Sequence, residues 1–142
     1  MPAAEPFTAM PSLADYRIEG QLGSGTYGKV YKVRRLSDDA ILVLKQVSLR
    51  NLSAREPEEA LNESRLMATV EHHPRVIRYH ESFMPKGDLN IIMDYAEGGD
   101  LAEVIERKRA EGGGARFAEA QLWQWLIQVC EGLQHLHSRR IL

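Results

Sequence analysis

The chain has 142 residues, 44% of them hydrophobic and 27% charged, with 18 lysines and arginines against 20 aspartates and glutamates, for a net charge of −2. A single domain of that length buries roughly 68–70% of its unfolded surface, and a charge this close to neutrality gives no electrostatic reason to expect nucleic acid or an anionic membrane as a partner. The single cysteine, Cys130, excludes an intramolecular disulfide; residues 1–11 hold neither an apolar signal core nor a basic start, and no run approaches the ~18 apolar residues of a membrane span. A cytoplasmic setting is expected, with a nuclear or cytoskeletal one as the alternative.

Residues 1–14 carry three of the six prolines among small residues with no period, which predicts a disordered leader and structure beginning near Asp15. Tyr16, Ile18 and Leu22 alternate with Arg17, Glu19 and Gln21, a period of two that predicts a half-buried strand running into a glycine-rich segment. Residues 29–34 read as the returning strand, Ser37-Asp38-Asp39 as a turn and 41–47 as a third strand. A helix is predicted over 53–70, capped by Ser53 with Glu56 three residues on, or started at Pro57. Strands at 76–83 and 89–95 are joined across Pro85-Lys86-Gly87-Asp88. Beyond Gly98-Gly99 the pattern turns helical: 101–110, a connector at Gly112-Gly113-Gly114, then 118–139 with Leu122, Leu126, Val129, Leu133 and Leu136 on one stripe. No internal repeat is visible, and the order is that of an α+β chain.

The string Gly23-Ser24-Gly25-Thr26-Tyr27-Gly28-Lys29-Val30 carries the first chemical signal. Glycine allows backbone amides to approach phosphate oxygens unobstructed and also permits a sharp turn, so an ordinary hairpin tip is the competing reading. A dinucleotide-binding loop needs a helix after the glycines and an acidic residue ~20 positions on; here a strand follows, and Ser48 stands at that distance. A Walker loop is excluded because no Gly-Lys-Ser/Thr follows at the required spacing. Lys45, at the end of the run Leu42-Val43-Leu44, is the second signal: apolar neighbours cover part of its stem, and a cation there calls for an anion. Ala60, Glu63, Met67 and Val70 fall on one helical stripe, where a carboxylate is costly unless paired. Pairing of Lys45 with Glu63 is therefore expected, the alternative being a Glu63 solvated at the stripe's edge.

These residues, in this order and spacing, together with Met93-Asp94-Tyr95-Ala96-Glu97-Gly98-Gly99-Asp100-Leu101, resemble the start of the eukaryotic protein kinases from residue 16 to the end. Ala60-Leu61-Asn62-Glu63, the segment 94–101 and the final helix 124–142 most resemble the NIMA-related (NEK) serine/threonine kinases. The resemblance implies a kinase N-lobe and hinge over 15–97, a five-stranded antiparallel sheet plus one helix, and the first helices of a helical C-lobe over 98–142. It also implies that Gly23, Gly25 and Gly28 fold over ATP phosphates, that Leu22, Val30 and Val43 lie against the adenine, and that Lys45 holds the α- and β-phosphates, oriented by Glu63. Met93 would be the gatekeeper, Asp94 and Ala96 would offer backbone hydrogen bonds, and Asp100 would reach the ribose. Met67 and Tyr79 would join the stack connecting the lobes. The doubled His72-His73 adds one residue to the usual helix-to-strand connection, which departs from the family pattern.

Arg107-Lys108-Arg109 reads as a solvated helix end favoured by the dipole, Trp123 and Trp125 as packing residues, and Cys130 as unreactive. The His-Arg-Asp catalytic segment and the Asp-Phe-Gly magnesium ligand of the family would follow a helix such as this last one, so the expected reading is the ATP-binding part of a kinase that transfers phosphate to protein hydroxyls, without catalytic base or metal ligands in these residues. The alternative is a non-catalytic nucleotide-binding or kinase-interacting fragment. Made alone, the chain is expected to be inactive and to self-associate or bind chaperones through 118–142.

Overall fold

The computed structural model describes residues 10–25, 28–49, 56–112 and 116–141, with the side chains of residues 56, 57, 59, 60 and 63 outside the description. Five strands, β1 (Tyr16–Gly25), β2 (Gly28–Arg35), β3 (Ile41–Ser48), β4 (Tyr79–Phe83) and β5 (Asp88–Asp94), form one antiparallel sheet in the order β1-β2-β3-β5-β4. Helix α1 (Glu56–Thr69) is inserted between β3 and β4, and α2 (Leu101–Ala110) and α3 (Glu119–Ser138) follow the sheet. This is the α+β architecture the resemblance implies: a five-stranded antiparallel sheet with one helix, then helices only.

Alternation along each strand sends successive side chains to opposite faces. Leu42 and Leu44 join Tyr16, Val33 and Ile92 in a buried cluster on one face, while Val47, Leu89 and Ile91 form a second on the other, covered in part by Leu61 of α1, Tyr79 and Met93. Each such buried side chain contributes about 1.5–3 kcal/mol. Asn90, fully buried on β5, is satisfied across the strands: Gln46 Nε2 donates to its Oδ1 at 3.2 Å and its own Nδ2 donates to the Asp88 carbonyl at 3.1 Å. The Tyr16 hydroxyl donates to Glu81 Oε1 at 2.6 Å, joining the sheet's two edge strands, and its ring stacks on Phe83. Burial, reinforced by Glu81, pushes that phenol above its ordinary range.

Several expectations are corrected. The apolar face predicted for β1 does not form: Tyr16 is buried, but Ile18 and Leu22 are 56% and 49% exposed. Register shifts between Ile18 and Gly20 and between Gln21 and Gly23 put Leu22 out of phase with Tyr16, since one extra residue flips all that follow to the other face; Ile18, opposite Val33 before the first shift, is exposed on an edge strand. β4 starts at Tyr79 rather than at 76, because a turn after Pro74, in which the Val76 amide donates to the His73 carbonyl at 3.1 Å, occupies the residues before it. Most of the expected leader (1–9) lies outside the described residues, but ordered backbone begins before its expected end at 14: Leu13–Asp15 form a 3-10 turn, with Ser12 Oγ accepting from the Ala14 amide and Asp15 Oδ2 accepting from the Ser12 amide. The Ser53 cap of α1 falls outside the described residues. On α1, Ser64 is buried and bonds Ser82 Oγ at 3.1 Å. Trp123, expected as a packing residue, is 55% exposed and donates to Glu119 Oε1 at 3.1 Å, whereas Trp125 packs edge-on against Phe117.

Candidate nucleotide site

The cross-strand register aligns residues that are far apart in sequence. Gly23, Val30, Lys45 and Ile91 stand in one row, and Gly20, Lys32, Val43, Met93 and Tyr79 in the row two residues along. Rows two apart share a face, so Val30, Lys45, Val43 and Met93 lie on the same side of the sheet, the side on which α1 packs through Leu61. Val43 is buried on β3, and Lys45, two residues on, is half-buried.

Where this face meets the chain after β5, a cleft of about 440 Å³ opens, walled by Leu22, Val43 and Met93 and floored by Asp94, Ala96 and Asp100. Ile77, Tyr95, Glu97, Gly98, Gly99, Glu103 and Arg107 also line it; the sequence reading assigned none of them to the site and took Arg107 as part of a solvated helix end. Their position next to the expected hinge was the available signal for 95–99; Glu103 and Arg107, about one and two turns beyond Asp100 on α2, gave none. The other expected site residues, Gly23, Gly25, Gly28, Val30 and Lys45, lie on the strands beyond this cleft.

The glycines differ in kind. A Cβ on Gly28 would meet the Gln46 carbonyl oxygen at 1.9 Å, so β3 itself forbids a side chain there. Around Gly23 and Gly25 a Cβ would meet nothing within 4 Å, and neither has the positive φ that favours glycine. Among the described residues no contact requires those two to be glycine, and the space above them is open.

Beyond the strands, the chain is held by its own turn chemistry. The Gly99 amide donates to the Ala96 carbonyl at 3.2 Å, and Gly99 adopts φ 74°, the left-handed region glycine enters without strain. Asp100 caps α2, its Oδ1 accepting from the Glu103 amide at 2.8 Å; a carboxylate retains further acceptor sites. The Asp94 amide donates to the Arg78 carbonyl at 2.9 Å, which leaves any base contact at that residue to its carbonyl. Its side chain pairs with His80 Nε2 at 2.7 Å. Lys32 Nζ sits 5.2 Å over the Tyr95 ring, tying β2 to the hinge by a cation–π contact.

The Glu63 side chain lies outside the described residues, as do Thr26 and Tyr27, so the expected Lys45–Glu63 pair is not among the contacts described. Tyr79 packs with Met93 against the second cluster, and Met67 is half-buried. Among the described residues no three histidine, cysteine, aspartate or glutamate side chains gather as a metal site, and no helix is long and apolar enough to cross a membrane. A larger cleft of about 620 Å³ adjoins the first, sharing Ile77, Asp94 and Tyr95 and running to Trp125 and Val129 of α3; Leu22, Val43 and Met93 do not line it.

Comparison with known proteins agrees with this layout. The chain is 37% identical over 122 residues to mouse (Mus musculus) serine/threonine-protein kinase Nek1, covering 86% of this chain and 10% of Nek1. It is 40% identical over 121 residues to mouse serine/threonine-protein kinase Nek5, covering 85% of this chain and 18% of Nek5, and 32% identical over 127 residues to the probable serine/threonine-protein kinase nek2 of Dictyostelium discoideum, covering 88% and 30%. The chain thus spans between 10% and 30% of the length of these relatives. Residues 16–142 match the family described as protein kinase domain, and with that match across nearly its whole length the chain belongs to the protein kinase family.

Proposed function

We propose that this chain is the ATP-binding portion of a NEK-like serine/threonine protein kinase, and that the complete protein transfers the ATP γ-phosphate to hydroxyls of a protein substrate. The single observation that carries the reading is that Val43 and Met93, paired across β3 and β5, wall a cleft beside the chain after β5, with Lys45 two residues from Val43 on the same face of the sheet. A flat apolar base fits between Leu22, Val43 and Met93, and the space over Gly23 and Gly25 fits a phosphate chain that backbone amides can approach. Val30 adds to the apolar wall, the Asp94 carbonyl and Ala96 amide offer the base its hydrogen bonds, Asp100 offers the ribose its free carboxylate capacity, and Lys45 neutralises phosphate charge while Glu63 orients it. ATP supplies the phosphoryl group. Magnesium belongs to the complete enzyme; these 142 residues contain neither a His-Arg-Asp nor an Asp-Phe-Gly string.

We place the N-lobe and hinge at 15–97 and the start of the C-lobe at 98–142, after a leader at 1–14, and the protein in the cytoplasm. For the chain by itself we propose self-association or chaperone binding through 118–142, supported by Leu122, Leu126, Ile127, Val129 and Leu133, each 45–57% exposed on α3. The test is a titration of the 142-residue chain with a fluorescent ATP analogue. Saturable binding competed by ATP and lost in Lys45→Met supports the reading; binding indifferent to Lys45→Met overturns it.

A further inference from the structure

We propose that the junction of α2 and α3 is a docking groove for an acidic peptide segment carrying one apolar residue. Two adjoining clefts meet there, of about 350 and 480 Å³, sharing Lys108, Arg116 and Phe117. Arg109 and Leu122 line the first and Arg107 the second. The nucleotide cleft reaches this region only through Arg107, so the groove is a separate surface.

The cations exceed what the helix itself uses. Arg107, Lys108 and Arg109 occupy the last turn of α2, where the dipole favours positive charge. Arg116 lies beyond that helix and is not accounted for in that way. Opposing acids are few: Lys108 Nζ pairs with Glu111 at 2.6 Å and Arg109 Nη1 with Glu106 at 2.6 Å. Both are exposed pairs three residues apart, a kind that an incoming carboxylate displaces at little cost. In a chain whose net charge is −2, this concentration of cations is local.

The floor is apolar and held in place. Phe117 packs edge-on against Trp125 with ring centroids 4.9 Å apart, and Leu122 beside it is 48% exposed. An aromatic wall ringed by cations suits a peptide whose carboxylates meet Lys108 and Arg116 while an apolar side chain lies against Phe117 and Leu122; charge complementarity sets orientation and encounter rate. A bare polyanion would use the charges and leave the apolar floor uncovered.

The experiment is a fluorescence-anisotropy titration of the full chain with a labelled peptide in which a phenylalanine stands between two pairs of glutamates. Comparison probes replace that phenylalanine by glycine or the glutamates by lysines, and a single-stranded oligonucleotide and phosphatidylserine vesicles test other anions. Saturable binding to the phenylalanine peptide, weakened roughly tenfold by each of Lys108→Glu and Arg116→Glu and by the glycine replacement, is the expected result. Arg116 is exposed and Lys108 half-buried, and circular dichroism of each variant checks that the fold is kept. Absence of saturable binding, binding unmoved by both charge reversals, or equal binding of the glycine peptide, the oligonucleotide or the vesicles overturns the proposal.

Discussion

Replacing each loop glycine by alanine separates what the fold requires from what a ligand requires. At Gly28 the new methyl would sit 1.9 Å from the Gln46 carbonyl oxygen, 2.9 Å from the Gln46 carbonyl carbon and 3.1 Å from the Val47 Cα. These are backbone atoms of β3, which cannot swing aside as a side chain would, so the β2–β3 pairing at Gly28 and Val47 must open. Overpacking of this kind costs about 1–3 kcal/mol, which at this chain length lowers Tm by roughly 3–10 °C. Gly23→Ala and Gly25→Ala meet nothing within 4 Å and restrict only the unfolded chain, so each raises stability by about 0.4–1 kcal/mol. The same two methyls obstruct approach of phosphates to the backbone, and affinity for a fluorescent ATP analogue falls roughly tenfold, about 1.4 kcal/mol. Thermal melts and nucleotide titrations on the three variants therefore move in opposite directions for Gly23 and Gly25. If Gly23→Ala and Gly25→Ala melt lower than the parent, or bind the analogue equally well, the space above those glycines has no ligand to serve and the reasoning fails.

Removal of either Lys45 or Glu63 should weaken nucleotide binding, and their double-mutant cycle should show coupling of about 0.5–3 kcal/mol; additive effects would mean the two do not act as a pair. Tyr27→Glu places negative charge at the tip of the loop expected to cover phosphates and should weaken ATP-analogue binding, so an unchanged affinity removes that tip from the site. The Arg35 guanidinium, which bonds Asp38 at 2.9 and 2.6 Å, holds the Asp38 carboxyl down to about 2. A depressed folded value means that the tie across the β2–β3 turn is fully present above the ordinary carboxylate range and is lost only as pH falls through about 2; an NMR titration in which Asp38 protonates with the other surface carboxylates would contradict it. Gly132, buried on α3 with the Arg75 carbonyl 3.0 Å from where its Cβ would stand, should tolerate alanine, because the helix gain of about 0.8–1 kcal/mol offsets the tight contact. Valine at 132 should instead loosen residues 71–77, read as faster amide exchange there.

Much of this fold is legible in the sequence because local signals agree with one another. α2 has the predicted bounds because Asp100 caps its start and a run of cations ends it. β3 and β5 carry short apolar runs at 41–44 and 91–93, and the turn at Ser37-Asp38-Asp39 is fixed by residues that bond their own backbone, as Asp38 does with the Ala40 amide at 3.2 Å. What was not legible depends on pairing. Bulges in β1 shift the phase of Leu22 without leaving a mark in composition. Leu61 and Ser64 of α1 meet the sheet without having stood out as packing positions in the sequence; a helix this polar offers little periodicity to choose by. In the candidate site, the apolar wall and hinge positions were recognisable from motif order, while Glu103 and Arg107 enter only because α2 folds back over the cleft.

Stability and the site rest on the same element, and the helices are attached to it differently. Every buried apolar side chain among the described residues belongs to a strand: Tyr16, Val33, Leu42, Val43, Leu44, Val47, Leu89, Ile91 and Ile92. α2 has no buried residue and α3 has only Gly132. What ties α3 to the sheet's approach segment is polar: Arg75 with Glu131 at 3.0 Å, His135 with the Glu71 carbonyl at 3.0 Å, Arg139 with Glu71, and the stacked rings of His73 and His135. Exposed ion pairs of this kind contribute about 0–1 kcal/mol each, against about 1.5–3 kcal/mol for each buried strand residue. Of the histidine pair 72–73, His73 stacks on His135 while His72 stays exposed. Because Val30, Val43, Lys45 and Met93 sit on strands that pair with one another, loosening α3 should leave them aligned, and the side of the cleft from Asp94 to Arg107 is the one expected to change with the helices.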